Sequence, residues 1–149
     1  MTACAMRVRE VTIAYRGQGR KVPDAIREPG DAVRLFRCIV PDHVREHFLA
    51  LYLNARHRPI GFRVIATGTA DSALIHPREV FQAGILLGAT ALIVGHNHPS
   101  GDPSPSAEDR EITDRLRQAG EILGVRLLDS LVFNEDGRWA RIEPTGRPR

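Results

Sequence analysis

Residues 96–109 read HNHPSGDPSPSAED. Two of the six histidines in the chain stand one residue apart here, directly after the aliphatic run Ala91 to Val94 and Gly95. That run predicts a short buried strand, and a helix is expected to start after Ser106 and reach about Leu123. If the strand continues through Gly95, its period of two puts His96 and His98 on one face and turns Asn97 away. Asp109 falls in the first turn of the helix and shares a face with Ile112, Leu116, Ala119 and Leu123, the face that packs inward. A carboxylate on that face is costly unless a cation or a hydrogen-bond donor meets it.

Two imidazoles and one carboxylate brought to one point are a zinc-type donor set, and they leave the fourth tetrahedral position to water. That is the catalytic pattern, because bound zinc lowers the pKa of its water to about 7. Simpler readings stand beside it. Ser106-Ala-Glu-Asp109 has the form of a capping box, in which both side chains satisfy helix-end amides, and paired histidines also occur as loop hydrogen-bonders. A metal hydrolase further needs a general base. Glu46, at the mouth of a buried strand, and Glu79, in the first turn of a helix, are the two candidates, and Glu79 equally suits an acid that complements a helix N-terminus.

Working outward, the 149 residues with 42% hydrophobic content suit one compact domain. A first strand is expected over Arg7 to Tyr15, carrying Val8, Val11, Ile13 and Tyr15, then a Gly- and Arg-rich loop from Arg16 to Lys21. A short helix follows Pro29-Gly30 with Asp31 as N-cap and Val33, Leu35, Phe36 and Ile39 inward. His47 to Leu53 is apolar on both faces, as in a central strand, and Ile60 to Thr67 is its hairpin partner across Asn54 to Pro59. Pro77 opens a helix with Val80, Phe81, Gly84 and Leu87 on one face and Gly88 as its stop. Val125 to Phe133 and Arg138 to Ile142 form a closing hairpin around Asn134 to Gly137. The tail from Pro144 to Arg149 is expected to be disordered.

The net charge of +3 comes from 20 arginines and one lysine, Lys21, scattered along the chain. This permits weak, non-specific DNA binding, but with 5% aromatic residues there is no stacking platform for bases. Cys4 and Cys38 suggest neither a disulfide framework nor a CxxC metal clamp. No GxGxxG or GxxxxGKS loop is present, and no apolar run approaches the length of a membrane span. The region Met1 to Met6 lacks a signal-peptide pattern, so a cytoplasmic protein without membrane contact is expected.

The stretch HNHPSGDPSPSAEDREIT, preceded by HPREVFQAGILLGATALIVG, resembles the RadC family of the JAB/MPN superfamily. Its pattern of HxH, ten residues, then Asp, with Ser three residues before that Asp, is met by His96, His98, Ser106 and Asp109. The resemblance covers roughly Glu28 to Ile142. It implies an α/β (α+β) JAMM metalloprotease fold, a mixed β-sheet flanked by helices in a cytidine-deaminase-like three-layer arrangement. Residues 28–143 would form that domain, with 1–27 as an N-terminal strand and basic loop and 144–149 as the tail. It also implies Zn2+ bound by His96, His98 and Asp109. The Glu of the family precedes a strand of the form E-x-F, which Glu46-His47-Phe48 matches better than Glu79 does, and the Ser106 hydroxyl would help hold an oxyanion. The expected activity is cleavage of a peptide or isopeptide bond in a peptide or protein-conjugate substrate. The alternatives are a DNA-repair-associated or nucleic-acid-processing protein and a catalytically silent MPN scaffold. Longer RadC proteins carry a helix-hairpin-helix region, whereas about 30 residues precede the domain here. Related sequences generally have Asp-His where this chain has Asp129-Ser130.

Overall fold

The computed structural model describes residues 7–12, 14–19, 21–68 and 75–145. Within them run α1 (Pro29–Ile39), β1 (His47–Leu53), β2 (Pro59–Thr67), α2 (Pro77–Leu86), β3 (Ala91–Asn97), α3 (Ala107–Leu123), β4 (Arg126–Phe133) and β5 (Trp139–Arg141). The strands form one mixed sheet in the order β2-β1-β3-β4-β5, antiparallel except for the parallel pair β3 and β4. The connection between that parallel pair is α3, as a parallel pairing requires.

Strand alternation sorts the core into two layers. Leu49, Leu51, Leu53, Ala91 and Ile93 face α1, where they meet Val33, Leu35, Phe36 and Ile39. Phe48, Ala50, Tyr52, Leu92 and Val94 face the other way, onto Val80 and Phe81 of α2 and Ile112 and Leu116 of α3. The result is helix, sheet, helix, an α+β domain with both faces of the sheet covered. β1 and β3 are buried at every position, which explains why they read as continuous apolar runs rather than alternating ones. Among the described residues, no helix is long and apolar enough to cross a membrane.

Several boundaries differ from the sequence expectation, each for a local reason. Residues 7–12 and 14–19 form no strand, and Val8, Val11 and Tyr15 are 93%, 80% and 75% exposed. Alternating apolar residues need a neighbouring strand to pair with, and none pairs with them among the described residues; Ile13 lies outside the described residues, as do Cys4 and Met1 to Met6. Glu28, not Asp31, is the N-cap of α1, because Pro29 occupies the first helical position. Asp31 sits three residues in, and its Oδ2 accepts the amides of Arg27 at 2.9 Å and Glu28 at 3.2 Å. Leu87 is the C-cap of α2 and, partly buried, still packs on the core that holds Val80 and Phe81. The closing hairpin forms with a shorter second strand than expected, and Gly137 takes φ 90° in its turn. Of the tail, Thr145 is held by Asp114 through its amide and hydroxyl, and 146–149 lie outside the described residues.

Candidate metal centre

β3 extends past Val94 through Gly95 to Asn97, longer than its aliphatic run alone suggests. Gly95 makes the extension compatible with α1, since a Cβ there would lie 2.7 Å from the Phe36 ring. The alternation that sends Leu92 and Val94 toward α2 and α3 therefore sends His96 the same way, and His98 after it. His96 is 2% exposed, and its ring stacks on Phe48, its partner across the β1–β3 ladder, with centroids 6.0 Å apart. His98 donates from Nδ1 to the carbonyl of Asp102 at 2.9 Å, which leaves Nε2 as the nitrogen that faces the site.

α3 begins beside the end of β3, and its first turn carries Asp109. Ser106 is the N-cap, accepting the Asp109 amide on Oγ at 3.1 Å, while its own amide donates to Asp109 Oδ2 at 2.7 Å. The capping box is thus real. It does not exhaust the carboxylate: Oδ1 lies 2.9 Å from His96 Nε2, and Oδ2 lies 3.4 Å from His98 Nε2. The two Nε2 atoms are themselves 2.9 Å apart. Donors around a tetrahedral ion of zinc–nitrogen length are separated by about 3.3 Å, so this triangle needs only a small expansion to surround such an ion.

Burial opposes ionisation of Asp109, but the hydrogen bonds from His96 and His98 outweigh it and hold the carboxyl well below the usual carboxylate range. The hydrogen bond to Asp109 in turn raises the His98 pKa against the opposing effect of burial. A carboxylate that stays ionised while 2% exposed is a strong attractor for a cation.

Glu46 reaches the same point from the other side. β1 runs antiparallel to β3 with Phe48 opposite His96, so continuing that register sets Glu46 opposite His98. Its Oε1 lies 3.8 Å from both Nε2 atoms, and Glu46, His96 and His98 together form a His-His-Glu cluster able to hold a metal ion. Asp109 is the nearer acid to both histidines, at 2.9 and 3.4 Å against 3.8 Å for Glu46. Glu79 is elsewhere, in the first turn of α2, with its carboxylate 3.9 Å from Arg63.

Sequence reasoning missed three supports. Asn97 is buried and bonds the backbone on both sides of Glu46. The Asp102 carbonyl orients His98, and no side-chain pattern announces a backbone acceptor. Thr113, on the turn after Asp109, donates to the Asp109 carbonyl at 2.9 Å and is hydrogen-bonded to Ser130 at 2.8 Å. Ser130 therefore lies two hydrogen bonds from Asp109, and its neighbour Asp129 is paired with Arg141.

Two concavities flank this architecture. The larger, about 600 Å³, lies between α2 and α3 against Phe81, Ile85 and Leu123 and contains none of the converging residues. The smaller, about 110 Å³, opens beside His98 and Asn97, between His43 and Asn134. Of the converging residues, His98 lines the smaller one.

Residues 26–143 match the family model of the RadC-like JAB domain. A "UPF0758 protein" of Xanthomonas campestris pv. campestris (strain 8004) is 47% identical over 115 residues, 77% of this chain and 51% of the relative. Proteins of the same designation from Desulforudis audaxviator and Shouchella clausii are 43% and 42% identical, over 74% and 84% of this chain and 48% and 54% of their own lengths. The chain spans about half the length of the curated relatives it matches.

Proposed function

This chain belongs to the RadC-like JAB domain family, and from that premise we propose that it is a zinc-dependent hydrolase that cleaves a peptide or isopeptide bond. The observation that carries the reading is the convergence of His96 Nε2, His98 Nε2 and the Asp109 carboxylate, with Glu46 Oε1 3.8 Å from both nitrogens. The donors fit a zinc-type ion: two neutral imidazole nitrogens and one buried, ionised carboxylate, with the His98 tautomer set by Asp102. Zinc bound there would supply Lewis acidity and a water with a pKa near neutrality.

In this reading His96, His98 and Asp109 would hold the ion. Glu46, set on the strand end across from them, accepts a water proton on its carboxylate and delivers it to the departing amine. The Ser106 hydroxyl, fixed at the start of α3, donates to the oxyanion that develops at the scissile carbonyl. The cavity beside His98 gives room for a substrate backbone or a small side chain. The designation shared by the relatives names no reaction, so the assignment of substrate class rests on the donor set and the family.

The test is competition among labelled peptide, isopeptide and DNA substrates, with wild-type protein, His96→Ala and Glu46→Gln. Turnover of a peptide or isopeptide that disappears in both variants supports the proposal. DNA cleavage that vanishes in both, with no peptide turned over by the wild type, would transfer the site to a nucleic-acid reaction. A wild-type protein inert toward all three, although metal-loaded, would favour an interaction scaffold.

A further inference from the structure

Asn97 stands between the two histidines in sequence and on the opposite face of β3. It is 1% exposed, and its amide straddles Glu46: Nδ2 donates to the Arg45 carbonyl at 2.8 Å, and Oδ1 accepts the His47 amide at 2.8 Å. The regular β1–β3 ladder ends at the Phe48 and His96 pair. Beyond it, the Asn97 side chain hydrogen-bonds the backbone of the Glu46 segment. Two peptide groups flank the Glu46 Cα, and Asn97 holds one atom of each. The outer side of the same segment is tied to β2, where the Gly68 amide donates to the Glu46 carbonyl at 2.9 Å and His47 Nδ1 meets Thr67 Oγ1 at 2.8 Å.

We propose that Asn97 is the positioning residue for Glu46, fixing the backbone from which its carboxylate reaches the His96 and His98 nitrogens. The proposal rests on the reading of Glu46 as the base. The residue type follows from chemistry: a primary amide offers a donor and an acceptor side by side in one plane, a carboxylate lacks the donor, and a serine hydroxyl is too short to span both peptides. It also follows that one strand end serves two purposes. Alternate residues of β3 present metal-type donors on one face while the residue between them orders the opposing acid from the other.

The experiment uses the full chain with cobalt(II) as the probe ion, comparing crystal structures and metal affinity of wild type, Asn97→Ala, Asn97→Asp and Gly120→Ala. Gly120 packs against the start of β4, and its variant controls for lost stability alone. The expected result is a Glu46 carboxylate displaced by about 1 Å or more in both Asn97 variants, a misplacement of the size that costs about 10²-fold in rate. Cobalt affinity should change by less than about 10-fold, below the range seen when a partner of a metal ligand is removed. Gly120→Ala should leave Glu46 in place. A Glu46 position unchanged in the Asn97 variants, a displacement equally large in Gly120→Ala, or failure of both Asn97 variants to fold would overturn the proposal. Because the readout is a position, it is separable from the functional reading: Glu46→Gln protein that retained turnover would end that reading and leave this geometry intact.

Discussion

His96 Nε2 and His98 Nε2 lie 2.9 Å apart, and both face one buried carboxylate, that of Asp109. In the metal-free protein the Asp109 carboxylate favours the protonated form of His98. Its energetics must therefore depend on pH with a definite sign.

His98 has a raised pKa when folded, so its contribution to stability is fully present below the unfolded value of 6.5 and is lost as pH rises through the folded value. Asp109 has a lowered one, so its contribution is present above 3.8 and is lost as pH falls through the folded value. Metal-free protein should accordingly be most stable on the acid side of neutrality and lose Tm as pH rises above 6.5 through the raised His98 value. Zinc bound as proposed would compete with protons for His98, so the Tm gained on adding it should widen as pH rises. Thermal melts with and without zinc at a series of pH values measure both slopes. A metal-free Tm that climbs over that range would contradict this arrangement.

Asp109 belongs to a capping box and also faces the histidines, and two variants separate those roles. Ser106→Ala removes one capping contact, worth about 1 kcal/mol, and should retain about one zinc per chain. Asp109→Ala should lose the metal, as should His96→Ala and His98→Ala. Elemental analysis beside each melt gives the answer. Full zinc occupancy in Asp109→Ala would reduce that residue to a helix cap.

The legibility of this site in the sequence followed the periodicities. A period of two placed His96 and His98 together, and a period of 3.6 placed Asp109 on the buried side of α3, because both elements carry strong apolar patterns that fix their orientation. Glu46 is harder to read: the residues alone leave it and Glu79 as the two candidates, since its role depends on the antiparallel register of β1 on β3, strands far apart in the chain, which no local pattern encodes. Asn97 was read only as pointing away. The face it points to, and the backbone it meets there, exist only once β1 is in place. Toward the N-terminus, Val8, Val11 and Tyr15 alternate as in a strand, yet the described residues 7–12 and 14–19 form none, because alternation records only the availability of a face and not the presence of a neighbour.

Close approach of backbone elements also yields a test of the packing. A Cβ on Gly120 would lie 2.5 Å from the Val125 carbonyl oxygen, a backbone atom that cannot turn aside as the end of a flexible side chain can. Alanine gains about 1 kcal/mol over glycine in a helix interior, whereas overpacking of this kind costs about 1 to 3 kcal/mol. The clash should win, and Gly120→Ala should unfold at lower denaturant concentration than the wild type with an unchanged m-value. A midpoint equal to or above that of the wild type would show that α3 can shift at its C-terminal end.

The assignment of the base can be separated from the assignment of the ligands. Glu46→Gln keeps the size and hydrogen-bonding reach of the side chain and removes only its ability to take a proton at neutral pH, so fold and zinc content should match the wild type. Loss of a positioned general base lowers turnover by about 10² to 10⁴-fold, and the loss should fall on kcat rather than KM, since proton transfer occurs in the transition state. Glu79, paired with Arg63 in the first turn of α2, offers the matched control: Glu79→Gln gives up one half-exposed ion pair at 3.9 Å and should leave turnover within about twofold. Steady-state kinetics on any peptide or isopeptide substrate found by competition, with zinc measured on the same samples, distinguishes the outcomes. Turnover abolished by the Glu79 change and retained by the Glu46 change would reverse the assignment, and zinc lost from Glu46→Gln would make Glu46 a ligand instead.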